Sequence, residues 1–232
     1  IFFEEVFVIP FFFLFIEKKS LEILNQNGKY VQELIDTIEP NFVFSKEPNN
    51  RFNLTKANKN NSYQDKTVKL LKLKDKINAI ENCKLKENSK NLIMGDGDIN
   101  SPIMIIGEAP GILEDNSGYS FEGEIGLLLK KMLSAINIKI EKVYRTYSIN
   151  FRPPDDKKPT AQEIRRYSIF LKDHITIIDP EILILMGSTA MEAVSGLNGK
   201  ISDERGKWKE IILKNKTYSL MVTFNPSYLI RF

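Results

Sequence analysis

The chain has 232 residues, enough for one α/β domain with a sizeable core and some peripheral sequence; Lys and Arg total 33 against 30 Asp and Glu. A net charge of +3 permits nucleic-acid binding on a local surface without arguing for it. The single cysteine, Cys83, excludes an internal disulfide and any metal site built from several thiolates.

The first stretch, "IFFEEVFVIPFFFLFI", is rich in Phe but interrupted by Glu4, Glu5 and Pro10, so it falls short of the roughly 20 clean apolar residues that span a bilayer. Its early charges are acidic, whereas a signal peptide carries basic residues before its apolar run. Residues 1–45 read as an apolar leader followed by a helix, on a soluble, cytoplasmic protein with no membrane contact. The helix is expected over residues 17–39, where Leu21, Leu24, Val31, Leu34 and Ile35 recur at helical spacing and Gly28 marks a break. Residues 46–66 are polar and Asn/Lys-rich and read as a flexible linker. "TVKLLKLKDKINAIENCKL" then predicts an amphipathic helix leading into a main domain over residues 67–232.

From about residue 88 strands and helices alternate. "SPIMIIG" reads as a buried strand, "EIGLLLKKMLSAI" as a helix, "VYRTYSI" as a strand, and "TAQEIRRYSIFLKDHITII" as a long helix capped by Thr160. "EILILMG" is a second buried strand, "STAMEAVSG" a short helix ending at Gly196, and "YSLMVTF" a third buried strand. This alternation predicts an α/β fold, a three-layer α/β/α sandwich around a mainly parallel sheet. Ligands in such sheets lie beyond the carboxyl ends of the strands. The segments there are Gly107–Phe121, Asn150–Pro159, Gly187–Thr189 and Phe224–Arg231, all rich in Gly, Pro or polar residues. "GDGD", Gly95–Asp98, reads as a turn, and no phosphate-binding Gly-x-x-x-x-Gly-Lys-Ser/Thr loop is present.

Several of these segments, in order, resemble the family 4 uracil-DNA glycosylases. "IMIIGEAPGILEDNSGYSFEGEIGLLLKKML" is similar to that family's first motif, in which GEAPG precedes an acidic pair, a Phe-x-Gly and a Leu-rich helix. "VYRTYSINFRPPDDKKPT", "PEILILMGSTA", "ISDERGKW" and "TFNPSYLIR" resemble the blocks that follow, and "ENCKLKENSKNLIMGDGD" fits the lead-in. The match covers about residues 77–231. It implies an enzyme that flips uracil out of DNA and hydrolyses its N-glycosidic bond in base-excision repair, at a cost of a few kcal/mol for unstacking. Its partner would be uracil-containing DNA, and the protein a monomer. The resemblance assigns Glu108 a place beside the uracil, with Gly107, Ala109 and Gly111 approaching it and Phe121 stacked on its face. Gly123 would allow close packing behind Phe121. Arg152, Ser227, Tyr228, Leu229 and Arg231 would face DNA, the last three on a loop that wedges into the minor groove.

Three departures qualify this expectation. The family's closing motif begins with His, which stabilises charge on the uracil; here Asn225 stands there, and a lost charge-assisted donor costs roughly 2–4 kcal/mol. The family's uracil-reading Asn is replaced by Tyr147, whose phenol would fill the pocket; Asn150 is nearby, but its side chain is expected on the opposite face. The positions of the four cysteines that hold the family's [4Fe–4S] cluster are Ile80, Cys83, Phe151 and Tyr167, so the cluster is expected to be absent and no cofactor is expected. The lone histidine, His174, matches no catalytic position and reads as a surface or helix-packing residue. The leading expectation is a uracil-DNA glycosylase-like protein of reduced activity. The alternatives are a catalytically inactive DNA-lesion-binding pseudoenzyme and a degraded gene product.

Overall fold

Continuous apolar runs are what a parallel sheet requires when both its faces are covered. Ile103–Gly107 (β1) pairs in parallel with Tyr144–Tyr147 (β2) on one side and Ile182–Met186 (β3) on the other. Lys216–Thr223 (β5) extends the sheet in parallel beyond β3, and Trp208–Leu213 (β4) closes the edge antiparallel to β5, giving the order β2-β1-β3-β5-β4. The computed structural model describes residues 51–231, with only the backbone for residues 51–62. Lys59–Phe232 is one compact unit; of the other, Ile1–Asn58, the described part is helical. The leader and helix expected before residue 46 lie outside the described residues.

Side chains alternate along the strands, and in β1, β3 and the second half of β5 they are buried on both sides. Met104, Ile106, Leu183, Leu185, Leu220 and Val222 join one large core. Ile105, Ile182, Ile184 and Met221 are equally buried outside that cluster, on the alternate positions. Helices therefore cover both faces, and the fold is the expected α/β/α sandwich. The helix Ala161–Ile178 starts at Thr160, whose hydroxyl accepts from the Glu163 N–H while the Glu163 carboxylate accepts from the Thr160 N–H. Its buried stripe includes His174, which is a packing residue and not a surface one: Nε2 lies 2.8 Å from the Tyr144 hydroxyl. Burial lowers the His174 pKa to about 3, so the ring is neutral.

Two features differ from the sequence reading. The helix Arg51–Asn78 runs through most of the segment read as a linker, because no Gly or Pro interrupts it; Leu73 and Ile77 then anchor its C-terminal half in the core. Strand β4 was not anticipated. It is held by a two-residue hairpin in which Lys214 and Asn215 both take positive φ, a turn for which the Asn was the available signal.

Candidate active site

The carboxyl ends of β1, β2, β3 and β5 open onto one cleft of about 740 Å³. Glu108, Ala109, Gly111, Phe121, Tyr147, Asn225, Ser227 and Arg231 all line it. Gly107 lies behind it, where an added Cβ would come within 2.7 Å of the Tyr147 ring. Arg152, Tyr228 and Leu229 do not line the cleft. The Arg152 guanidinium is engaged by Asp156 through two hydrogen bonds, at 2.7 and 3.1 Å, and Tyr228 stacks on Phe224 with ring centroids 4.8 Å apart. The closing segment is a helix, Pro226–Arg231, where a loop was expected.

Glu108 follows β1 and packs against Gly187, which has φ of +98° and whose missing Cβ leaves space for the carboxylate. One carboxylate oxygen accepts from the Thr189 N–H at 3.0 Å, at the start of the helix Ser188–Ser195, and from the Ser188 hydroxyl at 3.4 Å. Ser188 also accepts from the Lys158 ammonium at 3.0 Å. The other Glu108 oxygen accepts from Asn225 Nδ2 at 3.3 Å, and Asn225 Oδ1 accepts from the Ser227 N–H at 3.0 Å. Both ends of the Asn225 amide thus have partners within the protein.

Phe121 takes φ of +56°, a left-handed conformation unusual for a bulky residue and sustained only by neighbours that over-determine it. Four contacts do so. The Ser120 N–H and hydroxyl both donate to one Asp96 oxygen, the Phe121 N–H donates to the Tyr147 hydroxyl at 2.9 Å, and the Glu122 N–H donates to Glu114 at 3.0 Å. The fourth is Gly126, where a Cβ would stand 1.8 Å from the Phe121 carbonyl oxygen. Gly126 therefore gives the close approach expected of Gly123, which instead lies against Leu113.

The Tyr147 ring stacks on Phe121 with centroids 4.9 Å apart and planes 20° from parallel. Phe121 and Tyr147 are only 5% and 4% exposed, so the aromatic face is covered from within. The Tyr147 hydroxyl donates to Glu114 at 3.2 Å; burial first and the Glu114 charge second raise its pKa well above the ordinary value, which keeps the phenol protonated. Asn150 is no substitute reader of a base, because its amide donates to the Ile93 carbonyl at 2.9 Å in the interior.

Sequence reasoning missed Glu114, Asp115 and Asp96. Glu114 joins the Gly111 and Glu122 N–H groups to Tyr147, and Asp115 accepts from the Lys90 and Asn91 N–H groups. Asp96 pairs with Arg145 as well as holding Ser120. An acidic pair in the first turn of the helix Ile112–Ser117 and an aspartate between two turn glycines were the signals available.

Ile80, Cys83, Phe151 and Tyr167 come together in the main core. The Cys83 sulfur lies 3.2 Å from the Tyr167 hydroxyl, and Phe151 meets the Tyr167 ring edge-on with centroids 6.3 Å apart. One thiol, one phenol and two hydrocarbon side chains do not fit a cluster that needs four thiolates.

Residues 94–232 match the family model described as the uracil DNA glycosylase superfamily. The type-4 uracil-DNA glycosylase of Thermotoga maritima is 33% identical over 158 residues, covering 68% of this chain and 81% of the relative. That of Pyrobaculum aerophilum is 31% identical over 166 residues, covering 70% and 85%. The type-4 enzyme of Sulfurisphaera tokodaii is 32% identical over 166 residues, covering 68% and 74%.

Proposed function

Because the chain belongs to the uracil DNA glycosylase superfamily and within it to the type-4 family, we propose that it is a base-excision repair protein of the uracil-DNA glycosylase kind whose hydrolysis of the N-glycosidic bond is strongly reduced. The observation that carries the reduction is the Phe121–Tyr147 stack: a flipped uracil needs the aromatic face that Tyr147 covers. Cleavage leaves negative charge on the departing base, and the site must stabilise it. Asn225 is uncharged and already bonded to Glu108 and Ser227, so it offers a weaker donor than the family's His.

In this reading Glu108 and Asn225 are the catalytic pair, while Gly107, Ala109, Gly111, Phe121 and Tyr147 form the base slot. Arg152, Ser227, Tyr228, Leu229 and Arg231 face the DNA strand. The protein acts as a cytoplasmic monomer and without an iron–sulfur cluster, which the donor set around Cys83 supports. Among the described residues no helix is long and apolar enough to cross a membrane.

The test is abasic-site formation from a uracil-containing oligonucleotide, run beside the Thermotoga maritima relative. Excision slower by about two decades or more is expected. Equal rates would overturn the reduction. The filled slot also favours a second reading, recognition of damaged DNA without cleavage.

A further inference from the structure

We infer that the site selects an extruded nucleotide that has already lost its base, an abasic deoxyribose in DNA, over one that carries uracil. The inference rests on the reading of this cleft as a lesion site and names the lesion.

Tyr147 stands where a flat ring would bind. It stacks on Phe121, and its hydroxyl takes the Phe121 N–H and the Glu114 carboxylate, the donor and acceptor that would otherwise meet the edge of a base. Behind it the ring is flush with the end of β1, since a Cβ on Gly107 would approach two of its carbons within 2.7 and 2.8 Å. No unfilled layer remains between Phe121, Tyr147 and the sheet for a second ring. A base could enter only if Tyr147 left, exposing both rings and breaking two buried hydrogen bonds, a cost paid before any contact with the base is made.

The part of the cleft that stays open lies outside this stack and mixes apolar side chains with charges of both signs. Lys157, Lys158 and Arg231 line it with Asn225 and Ser227, and so do five carboxylates; three of these, Glu108, Glu114 and Asp156, are already bonded to Thr189, Tyr147 and Arg152. Its cations and hydrogen-bonding side chains can meet a sugar and its flanking phosphates without calling on the covered aromatic face. A deoxyribose without a base places its ring and its flanking phosphates there and asks nothing of the occupied slot. The phenol acts as a built-in surrogate for the missing base.

The experiment uses the full chain and three labelled duplexes, alike except for one central residue: a tetrahydrofuran abasic analogue, 2′-fluoro-deoxyuridine (a uracil that resists excision) or thymidine. Fluorescence anisotropy is expected to give about tenfold or greater tighter binding of the tetrahydrofuran duplex than of the other two. Tyr147→Asn and Tyr147→Ser, each verified as folded by circular dichroism, should shrink the gap between abasic and uracil duplexes to about threefold or less. Uracil bound as tightly as the abasic analogue by the unmodified chain would overturn the inference, as would three equal affinities. Excision of natural uracil, followed separately, reports on the reduced-activity reading: slow excision with no abasic preference leaves that reading standing and removes this one.

Discussion

Asp96 receives both the N–H and the hydroxyl of Ser120 on a single carboxylate oxygen, at 2.8 and 2.7 Å. Its other oxygen pairs with Arg145 on β2, so one side chain ties the residue preceding Phe121 to the strand that carries Tyr147. Asp96→Ala would leave Arg145 and Ser120 unpaired in a mostly buried setting. A loss of about 3 kcal/mol is expected in urea denaturation, with a smaller loss for Asp96→Asn. A change under about 0.5 kcal/mol for the alanine variant would mean that the tie carries no weight.

The two site departures should act together. Asn225→His alone restores a charge-assisted donor but leaves the slot filled, so uracil excision should rise by less than about threefold. Tyr147→Asn with Asn225→His should raise it by about two decades, the amount assigned to such a donor. The ratio of the double variant's rate enhancement to the product of the two single-variant enhancements, from initial rates on one oligonucleotide, measures the coupling. A folded but inert double variant would remove Tyr147 and Asn225 from the assigned pocket.

His174 gives the protein an acid sensitivity of defined sign. Its folded pKa is about 3 against an ordinary value of 6.5, so the unfolded chain takes up the proton first as pH falls. Its contribution is complete above about pH 6.5 and is lost toward pH 3, at about 1.4 kcal/mol per pH unit across that window. Urea midpoints at pH 7, 6 and 5 should fall more steeply for the natural chain than for His174→Gln. Parallel curves for the two proteins would show that His174 does not set the slope.

Two glycines separate steric need from conformational need. Gly126→Ala would drive a methyl group into the Phe121 carbonyl and should cost about 3 kcal/mol or more while disturbing the aromatic pair. Gly196 has φ of +74° but open space around it, so Gly196→Ala should cost only about 1 kcal/mol. Near-ultraviolet circular dichroism should change for the first variant and not for the second.

The sheet was legible because burial on both faces leaves uninterrupted runs such as "IMIIG" and "EILILMG", which few other structures demand. The capping role of Thr160 was legible for a local reason, the Glu three residues on. The convergence of Glu108, Phe121, Tyr147 and Asn225 followed from motif order and from the position of the strand ends. What escaped was polar and long-range. Nothing near Asp96 in sequence announces Ser120, and Glu114 meets Tyr147 across 33 positions. The edge strand β4 alternates partly exposed residues and lacks the apolar continuity that marks its neighbours.

The double engagement of Asn225 links the cleft to the stability of the closing helix. The residue in the position of the family's charged donor is also the one whose side chain receives the first free N–H of the helix Pro226–Arg231. Asparagine is among the best residues for starting a helix, and exchanging such a starter for a poor one typically loses about 1 kcal/mol. Replacing Asn225 by a weaker helix starter would therefore loosen the segment that ends in Arg231, so the donor at this position and the closing helix cannot be altered separately.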